Sequence, residues 1–496
     1  MQATSPDDVK AGKRKPRVAI IGAGAAGMIM AIRLQKAGFN DFVIYEKGED
    51  VGGTWRENRY PGVACDVPAH HYAFTFAPNP GWHSRLAGGA EIQSYMKSVA
   101  EKYGLRPHIV FGQKITSAKF DGTRWHINTD KGLVDQADFL VAATGPLHVP
   151  MVPDFQGLDQ FTGRCFHSSQ WPEDLDAATL KGKRVGVIGN GSSGVQIVSG
   201  LAKIGADVTV FMRTPQWVFP LGNRFFGATE RALVKTFPWI GRMAGEFFKW
   251  FFEHVFAEAV IHDGWQRKFL SGQCRRNLAG IKDPELKRKL MPPDQPMCRR
   301  MVMSAEFYPA LQKSNTHLVQ EAIDHVESKG VVIKDGRLHE LDVLVLATGF
   351  WTRAYGRPLE LINEKGETLS DAWKDKVGAH LSIHVPGFPN YMILGGPHSP
   401  RGNFSAIAYS EAIVDHIMNC IELATRKGLR SITARQEAMV EFQENIDAKL
   451  TGTIWITGCR SWYLDDKGKP ENWTGTPGEF RELMNAELNL AEFEVA

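Results

Sequence analysis

An α/β chain built around two separate parallel sheets, with a helical insertion in its middle, is the fold class this sequence predicts. Three observations predict it. Two short apolar runs, "VAII" from Val18 and "RVGVI" from Arg184, each lead into Gly-x-Gly-x-x-Gly and then into a segment of helical apolar spacing. Two more apolar runs end in Thr-Gly, at Ala142–Gly145 and Leu346–Phe350. Residues 219–295 carry Phe, Trp, Lys and Glu at helical spacing and lack strand signals.

Bulk properties narrow the class. A chain of 496 residues exceeds one simple core and implies about two or three domains. With 43% hydrophobic and 23% charged residues it reads as a soluble globular protein. A net charge of +3 offers no support for a nucleic-acid partner. The cysteines at 65, 165, 274, 298, 420 and 459 have no C-x-x-C and no ladder of spacings. That pattern argues against a disulfide framework or a metal site and predicts a reducing, cytoplasmic setting. The N-terminal "MQATSPDDVKAGKRKP" lacks the apolar core of a secretory signal and reads as a loose arm. No apolar run is long enough to span a bilayer, so no stable membrane insertion is expected. The nearest approach, 245–261, places Phe248, Phe251, Phe252, Val255 and Phe256 mostly on one helical face, which reads as a buried face more than a membrane anchor and leaves a weak peripheral membrane contact open.

Each glycine of the first fingerprint has a physical task. Gly22 makes the tight turn, Gly24 lets a pyrophosphate approach the backbone, and Gly27 lets helix and strand pack closely. The helix N-terminus supplies unpaired N–H groups, including that of Ala26, and a positive dipole end. Glu46 ends the next apolar run, 22 residues beyond Gly24, where an acid holds a ribose diol. The second fingerprint, Gly189-Asn190-Gly191-Ser192-Ser193-Gly194, differs at that place. Its next strand ends in Arg213-Thr214, and Arg attracts the 2′-phosphate that an acid would repel. The second dinucleotide is therefore expected to be NADPH. A nicotinamide beside a flavin is the pairing whose chemistry explains two grips, with hydride passing to FAD.

Four motifs in order carry a family resemblance. Phe161-x-Gly163-x-x-x-His167-x-x-x-Trp171-Pro172 resembles the fingerprint of type I (class B) Baeyer–Villiger monooxygenases. A second family pattern is matched by Gly52-Gly53-x-Trp55, Tyr60-Pro61-Gly62 and Asp66. Together with both grips, the resemblance covers nearly the whole chain. It implies two Rossmann-like domains, for FAD and NADPH, paired as in flavoprotein monooxygenases. It also implies insertion of one oxygen atom from dioxygen beside a ketone carbonyl, giving an ester or lactone through a flavin peroxide and a tetrahedral peroxy adduct. Such chemistry needs a cation that never loses its proton, and Arg fits that need better than Lys.

The resemblance then assigns roles. Arg300 corresponds to the active-site arginine and Asp66 to the carboxylate that orients it, while Arg299 helps hold the NADPH 2′-phosphate. Thr54, Trp55, Asp66 and Tyr72 join the first grip at the flavin. Ala64, Cys65, Asp66 and Gln196 join the second at NADP. The segment 161–172 is implied to link the two nucleotide domains as a hinge, with His167 a structural, hydrogen-bonded residue. Pro397, Ser399, Pro400 and Asn403 resemble the late segment that returns to the flavin. Departures are Ala64, where many relatives carry Arg, and a loosely similar C-terminus.

The organisation expected is an FAD-binding domain over 1–147 and 376–496, an NADPH-binding domain over 148–218 and 296–375, and a helical insertion over 219–295. The expected partners are a small-molecule ketone and O2, in a monomer or small homo-oligomer. Rival readings are a flavin monooxygenase forming sulfoxides or N-oxides and a non-catalytic flavoprotein. Trp171 favours ketones over the first rival, and intact glycines with Asp66 and Arg300 speak against the second. A disulfide reductase would need a C-x-x-x-x-C that Cys65 does not begin.

Overall fold

The computed structural model describes residues 15–402, 404–459, 461–465 and 467–496. Nearly all of the N-terminal arm, and Asn403, lie outside the described residues. Two five-stranded parallel sheets dominate the chain. The first runs Tyr391–Ile393, Phe139–Ala142, Val18–Ile21, Phe42–Glu46 and Ile109–Phe111. The second runs Thr316–Val319, Asp207–Phe211, Arg184–Ile188, Val343–Leu346 and Arg164–His167. All four residues of Val18–Ile21 are buried, as expected of a central parallel strand covered on both faces.

In each unit the fingerprint turn sits at the carboxyl end of its central strand and opens a helix, Ala25–Lys36 or Ser192–Ile204. Gly22 and Gly189 hold φ of +103° and +111°, which a side chain would strain. A Cβ on Gly27 would lie 1.9 Å from the Gly22 carbonyl oxygen, and one on Gly194 would lie 2.3 Å from that of Gly189. Close helix–strand packing therefore depends on both residues. Against the first helix lies Ala406–Lys427, a long helix that ends at Gly428 in the left-handed conformation.

Three features differ from the sequence reading. The chain returns to the first unit earlier than residue 376. Strand Glu360–Ile362 pairs with Ile115–Phe120, and Leu361, Leu369 and Trp373 share a core with Ala118 and Phe120. A three-residue edge strand carries too little pattern to mark that boundary in a sequence. The segment 161–172, read as a hinge between the nucleotide domains, also contains a strand that the sequence reading did not place. Its residues Arg164–His167 form the outermost strand of the second sheet, paired with Val343–Leu346. That strand is exposed over half its length, so no apolar run announced it. Finally, Cys298 and Cys459 form a disulfide across 161 residues of sequence. Spacing carried no trace of it, because the fold alone brings their Cα atoms to 6.1 Å.

Residues 228–289 are helical, in segments from Ala228–Thr236 to Pro284–Lys289. Pro238–Phe251, Phe252–Ala257 and Glu258–Ile261 run end to end as one rod, with a π-turn in the middle. Val255 and Phe256 of that rod pack with Phe219, Ile454, Trp455 and Tyr463. Among the described residues no helix is long and apolar enough to cross a membrane.

Candidate active site

The two grips keep their backbone donors open. In the first, helical hydrogen bonding begins with Met28 N–H donating to the Gly24 carbonyl at 3.0 Å, so the amides of Ala25, Ala26 and Gly27 precede it. In the second it begins with Val195 donating to Gly191 at 3.0 Å, which leaves Ser192, Ser193 and Gly194. A Cβ on Gly191 would meet no atom within 4 Å, so bare backbone faces open space there. The nearest atom to a Cβ on Gly24 would be the Cα of Gly53 at 3.7 Å. The Gly52-Gly53 motif thus lies directly against the first phosphate turn. These open, donor-lined turns fit two pyrophosphates.

Glu46 is 4% exposed and already accepts three hydrogen bonds. The Ala23 amide donates to its Oε2 at 2.8 Å, while the Gly48 amide (2.8 Å) and Arg56 Nη1 (2.9 Å) donate to Oε1. A carboxylate offers about four acceptor sites, so Oε2 keeps capacity for a ribose hydroxyl. Arg56, itself buried, holds that carboxylate in place and was not singled out in the sequence, although it stands inside the second motif. Trp55 Nε1 donates to the Tyr72 hydroxyl at 3.2 Å, and their rings meet edge to face.

The Tyr60-Pro61-Gly62 motif joins the two units. The Tyr60 hydroxyl lies 3.1 Å from Ser193 Oγ and 3.2 Å from Gln196 Oε1. Gln196 Nε2 donates to the Ala64 carbonyl at 2.9 Å. A Cβ on Gly200 would strike the Pro61 carbonyl oxygen at 2.5 Å, so the motif is pressed flat onto the second helix. Cys65 follows it, buried, and burial pushes its thiol well up from the ordinary range.

At the far end of the second unit, Arg213 is exposed and has no carboxylate partner among the described residues. Asn190 Nδ2 donates to the Thr214 carbonyl at 2.9 Å, which fixes this corner to the phosphate turn. Pro215, Gln216 and Trp217 then line a narrow cleft together with Arg299 and Arg300. Arg299 is itself engaged there, its Nη2 lying 2.7 Å from Asp294 Oδ2.

Arg300 and Asp66 are 234 residues apart in sequence and meet in space. Arg300 Nη2 donates to Asp66 Oδ2 at 3.0 Å, and Nη1 donates to the Arg401 carbonyl at 3.2 Å. The Asp66 carboxylate raises the pKa of the guanidinium against the opposing effect of burial, with Tyr463 adding to the rise. Arg300 is thus locked as a cation. The pair borders a pocket whose other walls include Phe252, Phe256, Met297, Phe404 and Trp455. Ser405 stands at its edge as the residue before the long helix Ala406–Lys427, and its buried Oγ has no partner among the described residues. An unused hydroxyl, a helix N-terminus and a fixed cation around an apolar cavity suit a flat, partly polar ring system and an apolar co-reactant. Tyr463, Trp455 and Ser405 were missed in the sequence, since isolated residues in loops carry no periodic signal.

The residues of the 161–172 motif lie away from this pocket's lining. His167 is 1% exposed; its Nε2 is 2.9 Å from the Gly349 carbonyl, and the Ser169 amide donates to Nδ1 at 3.2 Å. Those partners fix a neutral tautomer, and burial lowers its pKa. Trp171 Nε1 donates to the Leu175 carbonyl at 2.9 Å, and its ring faces Tyr60. Of the late segment, Ser399 is fully buried, with no hydrogen-bond partner for its hydroxyl among the described residues.

A family model described as pyridine nucleotide-disulphide oxidoreductase matches residues 19–220. An uncharacterized monooxygenase of Mycobacterium tuberculosis is 44% identical over 97% of this chain and 96% of its own. A Baeyer–Villiger monooxygenase of Streptomyces coelicolor is 37% identical over 97% of this chain and 92% of its own. Among solved structures, OTEMO in complex with FAD and NADP superposes with a TM-score of 0.86 at 27% identity, over 97% of this chain and 100% of that one.

Proposed function

The chain belongs to the flavin-dependent Baeyer–Villiger monooxygenases, an NADPH-dependent flavoprotein family that uses FAD, and from that premise we propose that it oxidises an apolar ketone to its ester or lactone in the pocket beside Arg300. One observation carries the reading: a permanently charged arginine, oriented by Asp66 at 3.0 Å, borders an otherwise mainly apolar cavity. FAD and NADPH, when bound, supply the reducing equivalents and activate dioxygen.

The protein's own residues supply placement and charge. Arg300 stabilises negative charge that develops on oxygen at the reacting carbonyl, and in an apolar cavity that charge is poorly solvated otherwise. Asp66 and the Arg401 carbonyl hold the guanidinium at two nitrogens, so little reorganisation is needed when charge appears. Phe252, Phe256 and Met297 exclude water and favour a hydrocarbon-rich substrate. Arg213, two residues before the Pro215–Trp217 wall of the cleft that Arg299 also lines, serves with Arg299 the 2′-phosphate side of NADPH.

Product analysis by gas chromatography–mass spectrometry tests this. Purified holoenzyme with NADPH and air would be offered linear, cyclic and aryl ketones, beside a thioether and a tertiary amine. Products one oxygen heavier than the ketones, lost in Arg300→Ala, are expected. Sulfoxide or N-oxide alone, or esters formed at near-parent rate by Arg300→Ala, would overturn the assignment.

A further inference from the structure

The helical rod that walls the pocket has a second face, which the ketone chemistry does not use. Trp239, Met243, Phe247 and Trp250 recur at helical spacing and are 57%, 63%, 58% and 53% exposed. They form one apolar stripe about 17 Å long. The opposite face is fixed inward. A Cβ on Gly245 would lie 2.6 Å from the His70 carbonyl oxygen, and one on Gly241 would press on Val234 and His70. Phe252 and Phe256 continue that inner face into the pocket. The rod therefore cannot roll to hide its stripe without opening the site.

Charge around the stripe has a sign. Residues 221–250 hold five basic side chains (Arg224, Arg231, Lys235, Arg242, Lys249) against two acidic ones, Glu230 and Glu246. The acids are engaged by Arg224 at 3.0 Å and Lys249 at 3.8 Å. Lys235 and Arg242 are exposed and have no carboxylate partner among the described residues. We propose that this face docks on an anionic lipid surface, with the rod lying in the headgroup plane, its indoles at the interface and its basic side chains on phosphates. A second copy of the chain fits less well. A twofold contact would bring the unpartnered cations of both copies together around the same stripe.

Such docking would set the pocket just behind the lipid surface, where apolar compounds concentrate; this consequence rests on the ketone reading, whereas the docking itself does not. The experiment is co-sedimentation of FAD-loaded enzyme with vesicles of phosphatidylcholine, alone or mixed with phosphatidylglycerol, at low and high salt. Binding to the anionic vesicles, weakened by salt, is expected. Trp239→Ser with Phe247→Ser and Trp250→Ser should weaken it on the order of 100-fold or more. Lys235→Glu with Arg242→Glu should abolish the preference for anionic lipid even if the first variant folds poorly. Retained FAD and unchanged turnover of a short, water-soluble ketone would show that the variants are folded. Parent enzyme that stays in the supernatant with both vesicles overturns the proposal. So does binding that neither variant alters. A doubled mass in light scattering that the aromatic variant abolishes would give the stripe to a second copy instead. Vesicle binding needs no turnover, so its failure and the failure of the ketone reading are separately visible.

Discussion

Replacing Asp66 by Asn keeps the shape and a carbonyl acceptor beside Arg300 but removes the charge. The cost follows from the pair's burial, since the side chains are 36% (Arg300) and 18% (Asp66) exposed. Breaking a fully buried ion pair costs about 3–5 kcal/mol. An exposed pair is worth at most about 1 kcal/mol. A pair between those limits is worth about 2 kcal/mol, and if that energy orients Arg300 toward the reacting oxygen it converts to a rate loss of about 30-fold. The assay is ester formation at saturating NADPH and ketone, with NADPH consumption and hydrogen peroxide followed in parallel. Ester formation should fall by about that factor while bound FAD stays stoichiometric, because Asp66→Asn leaves the glycine turn and Glu46 untouched. Ester formation within about twofold of the parent would refute the reasoning, for it would mean that Arg300 needs no carboxylate to be placed.

Other expectations follow from single positions. Gly191→Val should raise KM for NADPH by about tenfold or more at unchanged melting temperature, because its Cβ enters empty space; Gly194→Val should instead lower the melting temperature, because its Cβ would lie 2.3 Å from the Gly189 oxygen. Arg213→Ala should raise KM for NADPH much more than for NADH, and equal effects would remove the 2′-phosphate from that corner. His398 is 7% exposed, and burial pushes its pKa down to about 4. Since the folded value lies below the unfolded one of about 6.5, its contribution is full above that pH and is lost as pH falls toward 4, about 2 kcal/mol of it by pH 5. His398→Asn tolerates the φ of +63° and should flatten the fall in thermal stability between pH 7 and pH 5.

Much of the cofactor machinery was legible because its residues are local in sequence. A strand, a tight turn and a helix N-terminus occupy about a dozen consecutive residues, so Gly22, Gly24 and Gly27 declare their tasks by spacing alone. The same holds for Gly189, Gly191 and Gly194. Arg300 and Asp66 were legible only through resemblance, since nothing in spacing joins residues 234 apart. The burial of Val255 and Phe256, with Phe251 and Phe252 partly buried beside them, could be foreseen from helical periodicity. The outward stripe of the same rod could not, because an apolar residue looks alike in sequence whether it faces a core or a solvent.

The sequence by itself determined the two strand–turn–helix units with their glycines, and the helical character of most of the 219–295 insertion. Tertiary structure alone decided the rest. It set Tyr60, Pro61 and Gly62 against the second helix, pressed Gly53 to Gly24, and brought Cys298 to Cys459. It also drew Asp66, Arg300, Ser405 and Tyr463 around one cavity from four distant segments. The reason is physical: turns and helix ends are governed by backbone sterics and hydrogen bonds within a few residues, whereas a pocket is the space left when separate elements bury their apolar faces against one another.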